Sequence, residues 1–297
     1  IYDIMTERFE ITTILQRRLS QFEEIFGEVA DNSADNPAIT KESVHHFAKL
    51  VSGSPLIRPA WFFDVDQQGA GIVDVSTHLV DLIMWSLFPE TELKPEEAEI
   101  LQARQWATDL SPTQFKNVTG MDSYPDYLQK DVINDSILHV MSNGEIIFNI
   151  RGITGKSSVI WDFEAPPGGM DTHFSLFRGT KSDLAIRQDA STDFVPELFV
   201  QPHDKSDLDS WETAMEEAIE QINENWPGVG FERVNEEFHI TIPERYRVGH
   251  EAHFTEVTEK FLDYLEQGSI PQWEKDFMLT KYFITTEAYE QSLGSGE

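Results

Sequence analysis

The sequence predicts an α+β fold: a large, mostly antiparallel open sheet with helices packed on one face. Three observations carry the prediction. Residues 132–188 alternate apolar and polar positions, with turn signals between the runs. Apolar residues at helical spacing lie before and after that block. There is no βαβ alternation and no Gly-x-Gly-x-x-Gly; Gly69-Ala70-Gly71 lacks the third glycine, so no dinucleotide-binding half is expected here. Strands grouped centrally with helices at both ends define the class.

Taken in order, residues 2–6 read as a short strand. Ile11, Leu15, Leu19, Phe22 and Ile25 predict a helix over 9–26, closed by Gly27. Residues 41–50 read as a short helix or an extended arm, broken by Ser52-Gly53-Ser54-Pro55. A strong helix is expected over 72–88, stopped by Pro89, and residues 94–108 fit either a strand or a helix. Asn143-Gly144 between apolar runs reads as a hairpin turn joining 137–141 to 146–153. A strand over 158–163 and a hairpin of 173–178 with 183–188 around Gly179-Thr180 follow, then a strand over 197–201. Leu208, Trp211, Met215, Ile219 and Ile222 form the stripe of an acidic-faced helix. A strand over 238–242 precedes helices over 251–265 and 272–291, separated by Gly268 and Pro271.

Composition narrows the function classes. The 297 residues allow one large domain or two small ones, and 40% hydrophobic with 11% aromatic content supplies a sizeable core. Lys+Arg total 22 against Asp+Glu 53, a formal charge of −31, which disfavours nucleic acid and anionic membranes as partners. No cysteine is present, so disulfides, thiolate zinc sites and cysteine nucleophiles are excluded. The compartment stays open: cytoplasmic is the default and periplasmic is compatible. No run of about 18 apolar residues occurs.

The chemistry-bearing segment is Gly69 to Leu82. On a continuous helix Asp74, His78, Asp81 and Trp85 fall on one face. A carboxylate one turn before an imidazole orients the ring and stabilises its cation, which suits proton transfer near neutral pH. The alternative is a buried, hydrogen-bonded histidine beside a helix-capping aspartate. His45 and His46, being adjacent, make a poor metal pair. His250 and His253 stand at i, i+3 without a His-Glu-x-x-His pattern, and either line a substrate pocket or sit solvated at a helix start. Trp61, Tyr124 and Tyr127 are candidates for stacking on a sugar ring, with packing as the alternative. Asn117-Val118-Thr119 matches a glycosylation sequon but has no weight without a secretory context.

Gly-Ala-Gly-Ile-Val-Asp-Val-Ser-Thr-His-Leu-Val-Asp over 69–81 resembles the G-G-x-x-x-D-x-G-x-H-x-x-D signature of the Gfo/Idh/MocA oxidoreductases, departing from it at Ala70 and Ser76. Arg58-Pro59-Ala60-Trp61-Phe62-Phe63-Asp64 and Val248-Gly249-His250-Glu251-Ala252-His253-Phe254 look like the subgroup of oxidoreductase C-terminal domains, so the resemblance covers nearly the whole chain. It implies NAD(P)-dependent chemistry on sugars, polyols and related alcohols, with a Rossmann domain preceding an α+β domain. Residues 1–8 would then be the last strand of a Rossmann domain absent from this chain, and 9–297 the substrate-binding and oligomerisation domain. The family's Glu-Lys-Pro motif does not occur here.

By the same resemblance, Asp74 and His78 match the catalytic pair, with His78 exchanging the substrate hydroxyl proton. Asp81 resembles the third motif position and is expected to be structural or to support the pair from behind; it is grouped on the substrate side with Trp61, Tyr124, His250 and His253, the candidates read from the residues themselves. NAD or NADP is expected in the parent enzyme, and no cofactor is expected to bind this chain alone. The expected partners are a small carbohydrate-like substrate and a second copy of the chain across the open sheet. The competing expectations are a non-catalytic binding or assembly module on the same fold, and a metal-dependent hydrolase built on His250 and His253.

Overall fold

The computed structural model describes residues 1–51 and 53–294, so Ser52 of the predicted breaker lies outside the described residues. Ten strands form one sheet: β1 Ile39–Ala48, β4 Ala98–Leu110, β5 Val132–Ile133, β6 Ile137–Ile150, β7 Ile153–Glu164, β8 Thr172–Arg178, β9 Ser182–Gln188, β10 Glu197–Pro202, β11 Gly230–Val234 and β12 Glu237–Thr241. Their order is β11-β12-β10-β9-β8-β1-β7-β6-β4, with β5 beside β6. Strands β2 Leu50–Val51 and β3 Ser54–Pro55 make a separate small hairpin. β1 runs parallel to β7, and every other described pairing is antiparallel. The α+β class expected from the sequence is the one found.

The helices are α1 Ile11–Leu19, α2 Val65–Gln68, α3 Ser76–Leu87, α4 Pro112–Thr119, α5 Leu208–Asn223, α6 His250–Gln267 and α7 Gln272–Gly294. Of these, α1 packs on β9 and β10, α3 on β7 and β1, and α7 on β4 and α3. The main core lies between these helices and the sheet. It includes Leu15, Ile83, Met84, Phe148, Phe177, Leu184 and Ile284. A second cluster around Phe47, Phe63, Phe115 and Trp161 holds down α4. On the face turned from the helices, register places Leu176, Ala185, Phe199 and His239 in one row, with the Phe199 and His239 rings stacked at 5.0 Å.

Both undecided segments are strands. Residues 39–48 sit mid-sheet, bonded on both sides, where Ile39, Ser43 and Phe47 alternate inward, the pattern of a strand half-covered by helices. Residues 98–110 pair with β6.

Four expectations fail, three of them in the N-terminal and helical segments. Residues 2–6 form no ladder; a strand needs a partner edge. Instead Tyr2 packs on the rings of Phe261 and Tyr264, and the chain turns into a 3-10 segment, Thr6–Phe9. The helix over 9–26 stops at Leu19, and the apolar residues beyond it lie in turns that end at Gly27, φ +72°. The helix over 72–88 is broken: a 3-10 turn, Gly71–Val73, is separated from α3 by Asp74 at φ −91°, ψ −103°. The stretch Val65–Leu87 reaches a mean hydropathy of 1.3 over a span-length window, yet it is 72% buried and interrupted. It is core.

The Asn143-Gly144 hairpin is also wrong, for an instructive reason. Both residues lie inside β6, and the turn is at Arg151 and Gly152, with φ +50° and +83°. A Cβ on Gly144 would lie 2.5 Å from the Ile72 Cα, and one on Gly71 would lie 1.8 Å from the Ser142 carbonyl oxygen. The glycines therefore allow the 71–73 turn to press against β6. Asn143 donates from Nδ2 to the Trp106 carbonyl (3.0 Å) and accepts at Oδ1 from the Trp161 amide (2.6 Å), bridging an irregularity in the β4–β6 register. Gly144→Ala is expected to lower stability by about 1–3 kcal/mol through overpacking, read as a lower urea midpoint; an unchanged midpoint contradicts the close approach.

Candidate active site

Two adjacent residues set the site's geometry. The 3-10 segment Thr6–Phe9 sends Arg8 into the core and Glu7 toward a cleft. Arg8 grips Asp81 of α3 with Nε to Oδ2 at 2.6 Å and Nη2 to Oδ1 at 2.7 Å, and reaches Glu274 of α7 at 2.9 Å. Lys281 joins Asp81 at 3.0 Å and Asp3 at 2.5 Å, while Tyr2 and Tyr264 reach Glu274. Asp81 and Lys281 are fully buried. Burial raises the Asp81 carboxyl, but Arg8 and Lys281 override it and hold it at about 2.

One turn before Asp81, His78 faces the cleft. Its Nδ1 lies 2.9 Å from Glu7 Oε2. Burial disfavours the imidazolium, yet the hydrogen bond and charge of Glu7 prevail and raise the His78 pKa. Burial likewise opposes the Glu7 carboxylate, and His78 overcomes it, bringing Glu7 down to about 2. The other Glu7 oxygen lies 3.9 Å from His250 Nδ1 at the start of α6.

The cleft is a chamber of about 550 Å³ continuous with one of about 600 Å³, both bordered by Glu7, Glu10, Ser43, His45, His173 and His250. Val75, Leu79, Leu82 and Phe254 form its apolar wall. On the sheet side, His173 Nδ1 is 3.1 Å from Ser43 Oγ, and burial together with the neighbouring Lys41 pushes its pKa down to about 3. Lys41 lies fully buried beneath, bonded to Ser175 Oγ at 2.9 Å, and burial pushes its ammonium down to about 7. At the far end Asp171 holds Lys49 (2.7 Å), His46 (2.9 Å) and His45 (3.5 Å).

The structure separates the residues expected together. Asp74 sits at the break before α3, in a crevice with Gln68, Phe62 and Trp161. Burial raises its pKa against a Gln68 hydrogen bond; it feels the charges of His78 and His45 but bonds neither. The D-x-x-x-H face required one continuous helix, and the break removes it. Asp81 is sealed in its ion cluster, away from the cleft lining. Trp61 is exposed on a 3-10 turn outside the cleft. The Tyr124 ring packs on Phe115 at 4.8 Å, and its hydroxyl lies 2.9 Å from the Leu110 and Ser136 carbonyls. His250 lines the main chamber and buried His253 the adjoining one. His45 and His46, expected to make a poor metal pair, both reach Asp171. Among the described residues no group of three or more histidine, aspartate or glutamate side chains is arranged so that it could hold a metal ion.

Sequence reasoning missed Glu7, Glu10, Ser43, His45 and His173 as cleft residues. Glu7 is 71 positions from His78, and no local spacing signals such a contact.

A family model described as "Putative oxidoreductase C terminal domain" matches residues 15–293. The crystal structure of a putative oxidoreductase from Parabacteroides merdae superposes with TM-score 0.96 at 49% identity, covering 99% of this chain and 67% of that one. A levoglucosan dehydrogenase complex with NADH and L-sorbose matches with TM-score 0.52 at 12% identity, covering 97% and 64%. The transcriptional regulator Gal80p from Kluyveromyces lactis matches with TM-score 0.53 at 10% identity, covering 98% and 60%. The last two likenesses are of fold alone. The chain thus spans about two thirds of the length of these structures. No curated protein matches it.

The Glu7–His78 ion pair has a defined pH window. From the His78 side its contribution is complete below the free imidazole pKa of 6.5 and lost as pH rises through the raised value. From the Glu7 side it is complete above the free carboxyl value of 4.5 and lost as pH falls toward about 2. The stability difference between wild type and Glu7→Gln is therefore expected to be largest near about pH 5.5 and smaller at about pH 9, measured by urea denaturation. A difference larger at about pH 9 than at about pH 5.5 contradicts the charged pair.

Proposed function

The chain belongs to the family of putative oxidoreductase C-terminal domains, and from that premise we propose that it is the substrate-binding domain of an NAD(P)-dependent oxidoreductase acting on a sugar, a sugar derivative or a cyclic polyol. The observation that carries this reading is His78, set in a ligand-sized cleft with its Nδ1 engaged by Glu7.

The space a Cβ would take at Gly71 is filled by the Ser142 carbonyl, so this glycine serves packing against β6, while Gly69, φ +93°, ends α2. NAD(P), when bound by a nucleotide-binding part outside this chain, provides the hydride acceptor or donor. The residues here bind, orient and move a proton. With Nδ1 held by Glu7, proton exchange with the substrate hydroxyl falls to His78 Nε2: the proton leaves the oxygen as the carbinol hydride departs and a carbonyl forms, and the reverse holds in reduction. Glu7 fixes the ring and balances its positive charge, the orienting role first assigned to Asp74; Asp74 acts only at longer range. His250 and His253 stand beside this pair as substrate contacts. The levoglucosan dehydrogenase complex, with a sugar bound in a protein of this fold, supports the substrate class.

The second reading is a non-catalytic platform, favoured by the fold likeness to the regulator Gal80p. In either case the open sheet face with Leu176 and Phe199 is the proposed homo-oligomer surface.

In the longer protein, His78→Ala is expected to lower kcat by about 10²–10⁴-fold with unchanged NAD(P) affinity, in steady-state kinetics and cofactor titration. Unchanged turnover overturns the assignment. Absence of wild-type turnover across sugars and polyols favours the platform.

A further inference from the structure

Resting on the reading of this cleft as the substrate site, we propose that it takes an uncharged polyhydroxylated ring and rejects the phosphorylated or carboxylated counterparts of that ring. Among the described residues, no lysine or arginine lines the main chamber, whereas Glu7 and Glu10 both face it. Glu10 is fixed there by the Thr13 amide at 3.0 Å and by the Thr12 hydroxyl.

The nearest cations are already committed, beginning with the His78 imidazolium, which Glu7 holds at 2.9 Å. Lys41 is fully buried below the floor and bonded to Ser175. In the adjoining chamber Lys49 is held by Asp171 at 2.7 Å, and Arg247 by Glu197 at 2.7 Å and the Pro196 carbonyl at 2.8 Å. Arg8, next to Glu7 in the chain, is turned into the core with Asp81 and Glu274. An entering phosphate or carboxylate would lose its hydration and meet the Glu10 carboxylate, beside a Glu7–His78 ion pair whose charges already offset each other, a large cost in a partly enclosed site.

Neutral hydroxyls meet what they need. The carboxylates accept their protons. Thr13, Ser43, Gln188 and the neutral His173 ring offer further hydrogen bonds, and Leu79, Leu82 and Phe254 cover the ring's C–H faces. The volume of about 550 Å³ falls in the range of small-ligand sites.

The test is binding to this chain, read without turnover by ligand-observed NMR titration with D-glucose, myo-inositol, D-glucose 6-phosphate and D-glucuronate. At least one neutral ligand is expected to bind, with the anions at least about tenfold weaker. Glu10→Gln, which keeps the oxygen that caps α1 but removes its charge, should narrow that gap at least about threefold. Should that variant not fold, Glu7→Gln is the second test of the same gap. Anions binding as tightly as neutral ligands, no neutral ligand binding, or a gap untouched by the charge-removing variant overturns the proposal. Failure of the redox reading would show differently: His78→Ala would keep turnover in the longer protein while the charge discrimination here persisted.

Discussion

The Arg8–Asp81 ion pair is the constraint on which the site depends. Two parallel hydrogen bonds of 2.6 and 2.7 Å, buried on both sides, fix the direction of the guanidinium as well as its position. Because Arg8 follows Glu7 and Asp81 lies one turn beyond His78, seating the buried pair seats the cleft pair. The same cluster ties the N-terminal segment to α3, α6 and α7 through Glu274, Lys281 and Tyr264. Removing one partner of such a buried pair typically costs about 3–5 kcal/mol, because the other charge is left uncompensated. Here it would also release Glu7 from His78.

The cleft sets two imidazoles apart. His78, beside a carboxylate, favours its charged form; His173, buried near Lys41, is held neutral. Opposed environments for like groups in one cavity suit a proton-exchanging residue beside a fixed hydrogen-bonding one. The sheet provides the rigid side of this arrangement, with Ser43 on β1 and His173 on β8 facing each other in register. The helical side provides His78 and, through α6, His250.

The fold was largely legible because its signals are periodic and local: the 173–178/183–188 hairpin, the strand over 197–201 and the last three helices lie within a few residues of their expected places. Where a residue serves a distant contact, the local signal misled. Gly144 looked like a turn because glycine next to asparagine usually is one; its cause is the Ile72 backbone pressed against it. His78 and its segment were found by motif. The hydrogen-bond partner of its ring is Glu7, because the one-face spacing presumes a helix through Asp74 and the 71–73 turn packed on β6 interrupts it. Glu7 was unreadable for the same reason Arg8 was: both are defined by partners more than 70 positions away.

The most direct measurement is an NMR pH titration of the His78 ring in the wild-type chain, in Glu7→Gln and in Asp74→Asn. This account expects a wild-type pKa above the free imidazole value of 6.5, a clear fall in Glu7→Gln, where burial is no longer opposed, and little change in Asp74→Asn. A fall that appears in Asp74→Asn and not in Glu7→Gln would contradict it.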